Sequence, residues 1–161
     1  MSSIIKPNYG SNGQTISCTL ASLASGSARE CTAIDNRTNL YLDALVFLQL
    51  KTASGTIGSD PFAYVYAAGT VDDGTTWPDT VTGSDAAITL NTTSQLRLLG
   101  AVWLGAASTT YKAGPFSVAA VFGGFLPAEW SIVIKNNCGV ALSATEGDHK
   151  KLYQGVQAQV V

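Results

Sequence analysis

Apolar residues recur at every second position along much of the chain, and the clearest block runs from Tyr111 to Leu142. Its first half sets Phe116, Val118, Ala120 and Phe122 against Ser117, Ala119 and Val121. Its second half sets Trp130, Ile132 and Ile134 against Ser131, Val133 and Lys135. A period of two in β-branched and aromatic residues predicts strands with one face buried. Gly123-Gly124 and Pro127 lie between the halves and predict the connection.

The same period marks other segments. Leu42, Ala44, Val46, Leu48 and Leu50 alternate with Tyr41, Asp43, Leu45, Phe47, Gln49 and Lys51, which predicts a long strand over 40–53. Phe62, Tyr64 and Tyr66 share one side of a strand over 62–68. Gln95 to Gly105 is apolar on both sides, which predicts a central strand or one covered by a partner. Shorter strands are predicted over 14–20, 28–34 and 86–90, and a last one near 151–161. Asp35 to Asn39 and Asp72-Asp73-Gly74 are turn signals, and Trp77-Pro78 forces an extended residue before the proline. About nine short strands without a helix predict an all-β fold, a single-domain β-sandwich of jelly-roll type over 14–161. Residues 1–13, with Pro7, Gly10 and Gly13, read as an extended N-terminal arm with little structure of its own.

Length changes little: 161 residues suit one domain with a real core. Charge changes more. Only 12% of residues are charged and the net charge is −2, so neither nucleic acid nor an anionic membrane is an expected partner. No apolar run approaches the roughly 20 residues that span a bilayer, and the first ten residues lack the apolar core of a secretory signal. Cys18, Cys31 and Cys138 are odd in number and fit no metal spacing. Buried free thiols are expected for a chain made in reducing cytoplasm, with a Cys18–Cys31 bridge as the alternative.

Candidate chemistry is sparse. One histidine, His149, stands in a polar segment and reads as a solvated loop residue, where a hydrolase triad needs it beside a nucleophile. Glu129 beside Trp130 could serve a glycosidase, yet reads as a turn before a strand with Trp130 in the core. Asp72, Asp73 and Asp79 lack EF-hand spacing and read as an acidic turn. Trp77 is a candidate interface anchor, since aromatics are enriched in interfaces. No catalytic residues, metal or cofactor are expected.

Several phrases carry a resemblance: YLDALVFLQLKTASGT, FAYVYAAGTVDDGTTWPDTVTGSDAAITL, the span from Leu96 to Leu142, and HKKLYQGVQ. Over roughly 28–156 the chain resembles small virion structural proteins of tailed bacteriophages, of the head decoration (cement) type. The resemblance implies a non-catalytic protein made in the host cytoplasm and carried on the outer capsid surface of the virion. Its partner would be the major capsid protein, and it would act as a homo-oligomer, a dimer or trimer. Ile4, Ile5 and Tyr9 on the arm are then the expected capsid contacts, and removal of residues 1–13 is expected to leave the fold intact. The alternatives are a tail or neck component, or a carbohydrate-binding sandwich using Trp77, Tyr64, Tyr66 and Trp103, most of which read as core.

Overall fold

The computed structural model describes residues 4–91 and 94–161. It is an all-β sandwich of two antiparallel sheets. One sheet holds β1 (Ile5–Tyr9), β2 (Gln14–Thr15), β5 (Asp43–Lys51), β9 (Thr110–Ser117) and β11 (Lys150–Val160). Its order is β1-β11-β5-β9, with β2 also paired to β11. The other sheet holds β3 (Ala28–Glu30), β4 (Ile34–Asp35), β6 (Phe62–Thr70), β7 (Ala86–Ile88), β8 (Arg97–Trp103) and β10 (Glu129–Asn136). Its order is β7-β3-β10-β6-β8, with β4 also paired to β10. We call them the terminal sheet and the central sheet.

Alternation builds the core as expected in the long strands. Ala44, Val46, Leu48 and Leu50 of β5 face Ala63, Val65 and Ala67 of β6 and Trp130, Ile132 and Ile134 of β10 across the sandwich. Trp130 is buried and meets Tyr153 edge-to-face at 5.5 Å. β10 is buried on both faces, however. Segment 71–91, with Leu96, folds over the outer face of the central sheet and forms a second small core, with Val81 and Leu96 against Ala28, Ala68 and Val133. Ser131 tolerates burial there because its hydroxyl donates to the Cys31 carbonyl at 2.7 Å.

Four expectations are corrected. The strand expected through Phe122 ends at Ser117 and gives way to α1 (Val118–Val121). Ser117 caps it, accepting from the Ala120 amide, while Asp43 accepts from the Ala119 amide and the Ser117 hydroxyl. Gly123 and Gly124, both at positive φ, end it. The apolar strand at 95–105 is not central: β8 is an edge strand whose register shifts opposite Val65 and Tyr66, and Leu98 and Trp103 stay more than half exposed. Cys18 and Cys31 are not free thiols but a disulfide within the main core, with Cα atoms 4.4 Å apart. The Thr32 amide donates to the Ser17 carbonyl at 2.8 Å and sets the two segments side by side, a tertiary neighbour relation no cysteine count reveals. Cys138 is free and buried, as expected. Finally, residues 5–9 are not without structure of their own but pair with β11.

Candidate functional site

β1 and β11 form a two-stranded ribbon with Ile5 opposite Val160, Pro7 opposite Ala158 and Tyr9 opposite Val156. Residues directly opposite in an antiparallel pair share a face. One face of the ribbon is therefore apolar along its whole length, and the other carries Lys6, Asn8, Gln157 and Gln159. The ribbon leaves the sandwich at its root, so its tip has no core to bury in: Ile5 is 71% and Val160 66% exposed. Ile4 and Val161 continue it through reciprocal backbone hydrogen bonds and are also exposed.

The root is fixed by two glycines. Gly10 and Gly155 lie opposite each other, with the Gly10 amide donating to the Gly155 carbonyl at 2.8 Å. The Tyr41 ring lies against both, and a Cβ on either would run into it. Gln154 adds hydrogen bonds to the Gly10 carbonyl and to Asn12. A tyrosine seated on a glycine pair holds the ribbon's exit angle without consuming the ribbon's own apolar face.

That face continues onto the sandwich. Val156 stands opposite Asp43, and Leu152 opposite Phe47, on the outer side of the terminal sheet. Leu45, Phe47, Pro115 and Leu152 line a shallow dip of about 220 Å³ there. The arrangement is a mainly apolar strip, interrupted by Gln154 and Asp43 at the root, that runs from the half-buried sheet face to the exposed ribbon tip. Chemically it suits apolar contact with a large surface, since exposed contiguous apolar area marks interaction sites.

The structure brings together Ile5 and Tyr9, two of the three residues expected to bind a partner, and puts Ile4 on the opposite face of the ribbon. Sequence reasoning missed their companions Val156, Ala158 and Val160, although QGVQAQV alternates with period two. Trp77 is elsewhere. It is half-buried in the cover of the central sheet, with its indole N–H donating to the Gly74 carbonyl at 2.9 Å. The aromatics expected in the core are on the outer face instead: Phe62 is opposite Trp103 and Tyr64 opposite Ala101, with Trp103 56% exposed. Alternation gave their shared face, but the small residues Ala63, Val65 and Ala67 took the inside, where Trp130 already fills the space.

The other candidates are structural. His149 is buried, which corrects the solvated-loop reading: its Nδ1 accepts from the Lys51 amide at 3.4 Å and its Nε2 faces the Ser143 carbonyl at 3.1 Å. Both ring nitrogens are thus engaged by main chain, and neither meets a side-chain nucleophile. Glu129 pairs with Arg37, which also holds Asp35 and Asp73. Asp72 accepts from the Thr70 hydroxyl and the Thr76 amide, as an acidic turn does. Among the described residues, no group of three His, Cys, Asp or Glu side chains could hold a metal ion, and no helix is long and apolar enough to cross a membrane. No protein-family model, curated protein or solved structure matches the chain.

The carboxylates that fasten the loops predict acid sensitivity. Hydrogen bonding from Arg37 pulls Asp35 down to about 2, and that from Thr70 and Thr76 pulls Asp72 down to about 2. Ser143 and Lys51 lower Asp148. Burial pushes Glu146 up, but the Lys151 ammonium and the amides of Ala21 and Leu20 outweigh it and leave it lowered. Each binds its proton more weakly when folded, so the stability it adds is present above the ordinary carboxylate range and lost as pH falls through the folded value. The thermal midpoint should stay level down to about pH 5 and fall between about pH 4 and 2. A midpoint unchanged at pH 2 would mean these contacts add nothing.

Proposed function

We propose that the protein is a non-catalytic cement protein of a tailed bacteriophage, bound to the outer surface of the head and stabilising the major capsid protein lattice. The apolar strip that ends in the β1–β11 ribbon carries this reading. A cement protein adds contacts to a shell already built, so it needs a preformed apolar surface that its own core does not use. The ribbon has that character: a two-stranded ribbon is marginal alone in water, and here its apolar face stays open at the tip. We read the connectivity as jelly-roll type. The chain visits the two sheets so that four-strand paths β1-β11-β5-β9 and β3-β10-β6-β8 arise, as two Greek keys give. Several copies on one shell, or a dimer or trimer, would turn modest single contacts into firm attachment.

The test is binding to undecorated shells of the source particle, read by co-sedimentation. Ile5→Ser with Val160→Ser, which removes the apolar tip without setting like charges opposite each other, should weaken binding about 100-fold, as loss of an apolar anchor does. Both residues are exposed, so the free energy of unfolding should stay within about half a kcal/mol of wild type. Removal of residues 1–13 is a poorer test, because it strips β1 from β11 and bares a strand edge. If the paired variant decorates shells as the wild type does, the ribbon is not the contact. If the wild type fails to bind them, the cement reading falls.

A further inference from the structure

The outer edge of β1 is an open strand edge, and its hydrogen-bonding phase is fixed. Ile4 and Val161 exchange both of their backbone hydrogen bonds, and Gly10 donates to Gly155. Such pairs alternate along an antiparallel ladder, so Lys6 and Asn8 also turn their main-chain groups toward β11. Ile5, Pro7 and Tyr9 turn theirs the other way. Among the described residues no strand pairs on that side. The open edge thus offers the amides of Ile5 and Tyr9, and between them a residue with no N–H.

The geometry points to Pro7 as an edge guard: it prevents a second copy of this chain from adding β1 to β1 across the open edge, and so confines docking at the ribbon to its apolar side chains. Without the proline the edge would be self-complementary. An antiparallel copy centred on residue 7 would set Ile5 against Tyr9 twice and residue 7 against itself, and would align the apolar faces of two ribbons in one plane. With proline at the centre, two carbonyls meet without a donor and the two rings collide. Long apolar edges invite such pairing unless something blocks it. The clause on docking rests on the cement reading; the guard itself does not.

The experiment compares self-association of the full chain by analytical ultracentrifugation. Pro7→Val should associate at least about tenfold more tightly than wild type, through two restored hydrogen bonds. N-methylvaline at position 7, introduced by ligating a synthetic N-terminal segment, keeps the side chain but removes the N–H again, and should behave as wild type. Circular dichroism and the unfolding midpoint confirm that each protein is folded. The guard is overturned if Pro7→Val associates no more than wild type. It is overturned equally if N-methylvaline associates as valine does, or if wild type already protects the Ile5 and Tyr9 amides from exchange in a dimer. On undecorated shells, Pro7→Val at concentrations where it is monomeric should bind as wild type does. Loss of that binding alone would overturn side-chain docking and leave the guard standing, whereas failure of wild type to bind shells would count only against the cement reading.

Discussion

Glu30→Ala should cost about 3 kcal/mol of stability, because it takes the shared acceptor away from two amides and a hydroxyl of the covering loop. Glu30 is fully buried on β3, under the loop that covers the central sheet. Its carboxylate accepts from the Thr82 amide at 2.8 Å, the Ser84 amide at 3.2 Å and the Thr82 hydroxyl. Each such hydrogen bond contributes on the order of 1 kcal/mol, and the Thr82 and Ser84 donors, on exposed residues, turn to water when the acceptor is gone. The loss is local in structure. Without this anchor the 71–91 segment loses its hold above β3, and Ala68 and Val133 beneath it face water. Denaturant unfolding should show the full loss, and hydrogen exchange should quicken first at Thr82 and Ser84. Glu30→Gln should fall between, since its amide group keeps one acceptor but sets an N–H donor against another. A loss below about 1 kcal/mol for Glu30→Ala, with those amides still protected, would mean that the apolar contacts of Val81 and Leu96 hold the segment alone.

Replacing both Cys18 and Cys31 with alanine should cost about 3 kcal/mol, the chain-entropy value for a loop of roughly 15 residues. The bridge spans a sequence separation of 13 and lies in the main core. It joins the irregular segment after β2 to the end of β3, two segments otherwise tied by single hydrogen bonds such as Thr32 to Ser17. Guanidinium titration of the paired variant against the oxidised wild type gives the difference. The transition midpoint should shift down while the slope rises slightly, because an uncrosslinked chain exposes more surface when unfolded. Cys138→Ala should cost only about 1 kcal/mol, through its contact with the Val140 carbonyl and a small cavity. Equal stabilities for the paired variant and the wild type would show that the bridge restrains nothing the fold does not already restrain.

The strands that failed in the sequence reading failed for identifiable reasons. Val118 to Val121 alternates no worse than its neighbours, but Ser117 can cap and Gly123-Gly124 can stop a turn of helix, and that Ser…Gly-Gly signal was legible. β8 is apolar on both faces for a reason unrelated to being central. A register shift lets Leu98 and Trp103 share one outward face although their spacing is odd. Nothing in the sequence marks that shift except Gly100, which lies against the Phe116 ring. In the candidate site, Ile5 and Tyr9 were visible as apolar residues in a polar segment, but their face needs Val156 and Val160, more than 140 residues away.

Chain order alone carries the local periodicity: most of the strands, the side chains that share a face and the turns. These depend on neighbours a few positions apart, which the chain order supplies. The tertiary structure alone decided which face turns inward, as with Tyr64 outside and Val65 inside β6. It also decided that Cys18 meets Cys31, that His149 is buried against main chain, and that the first strand folds back on the last. Each of these is settled by a contact between segments distant in sequence, whose closure is favoured only once the rest of the sandwich is assembled.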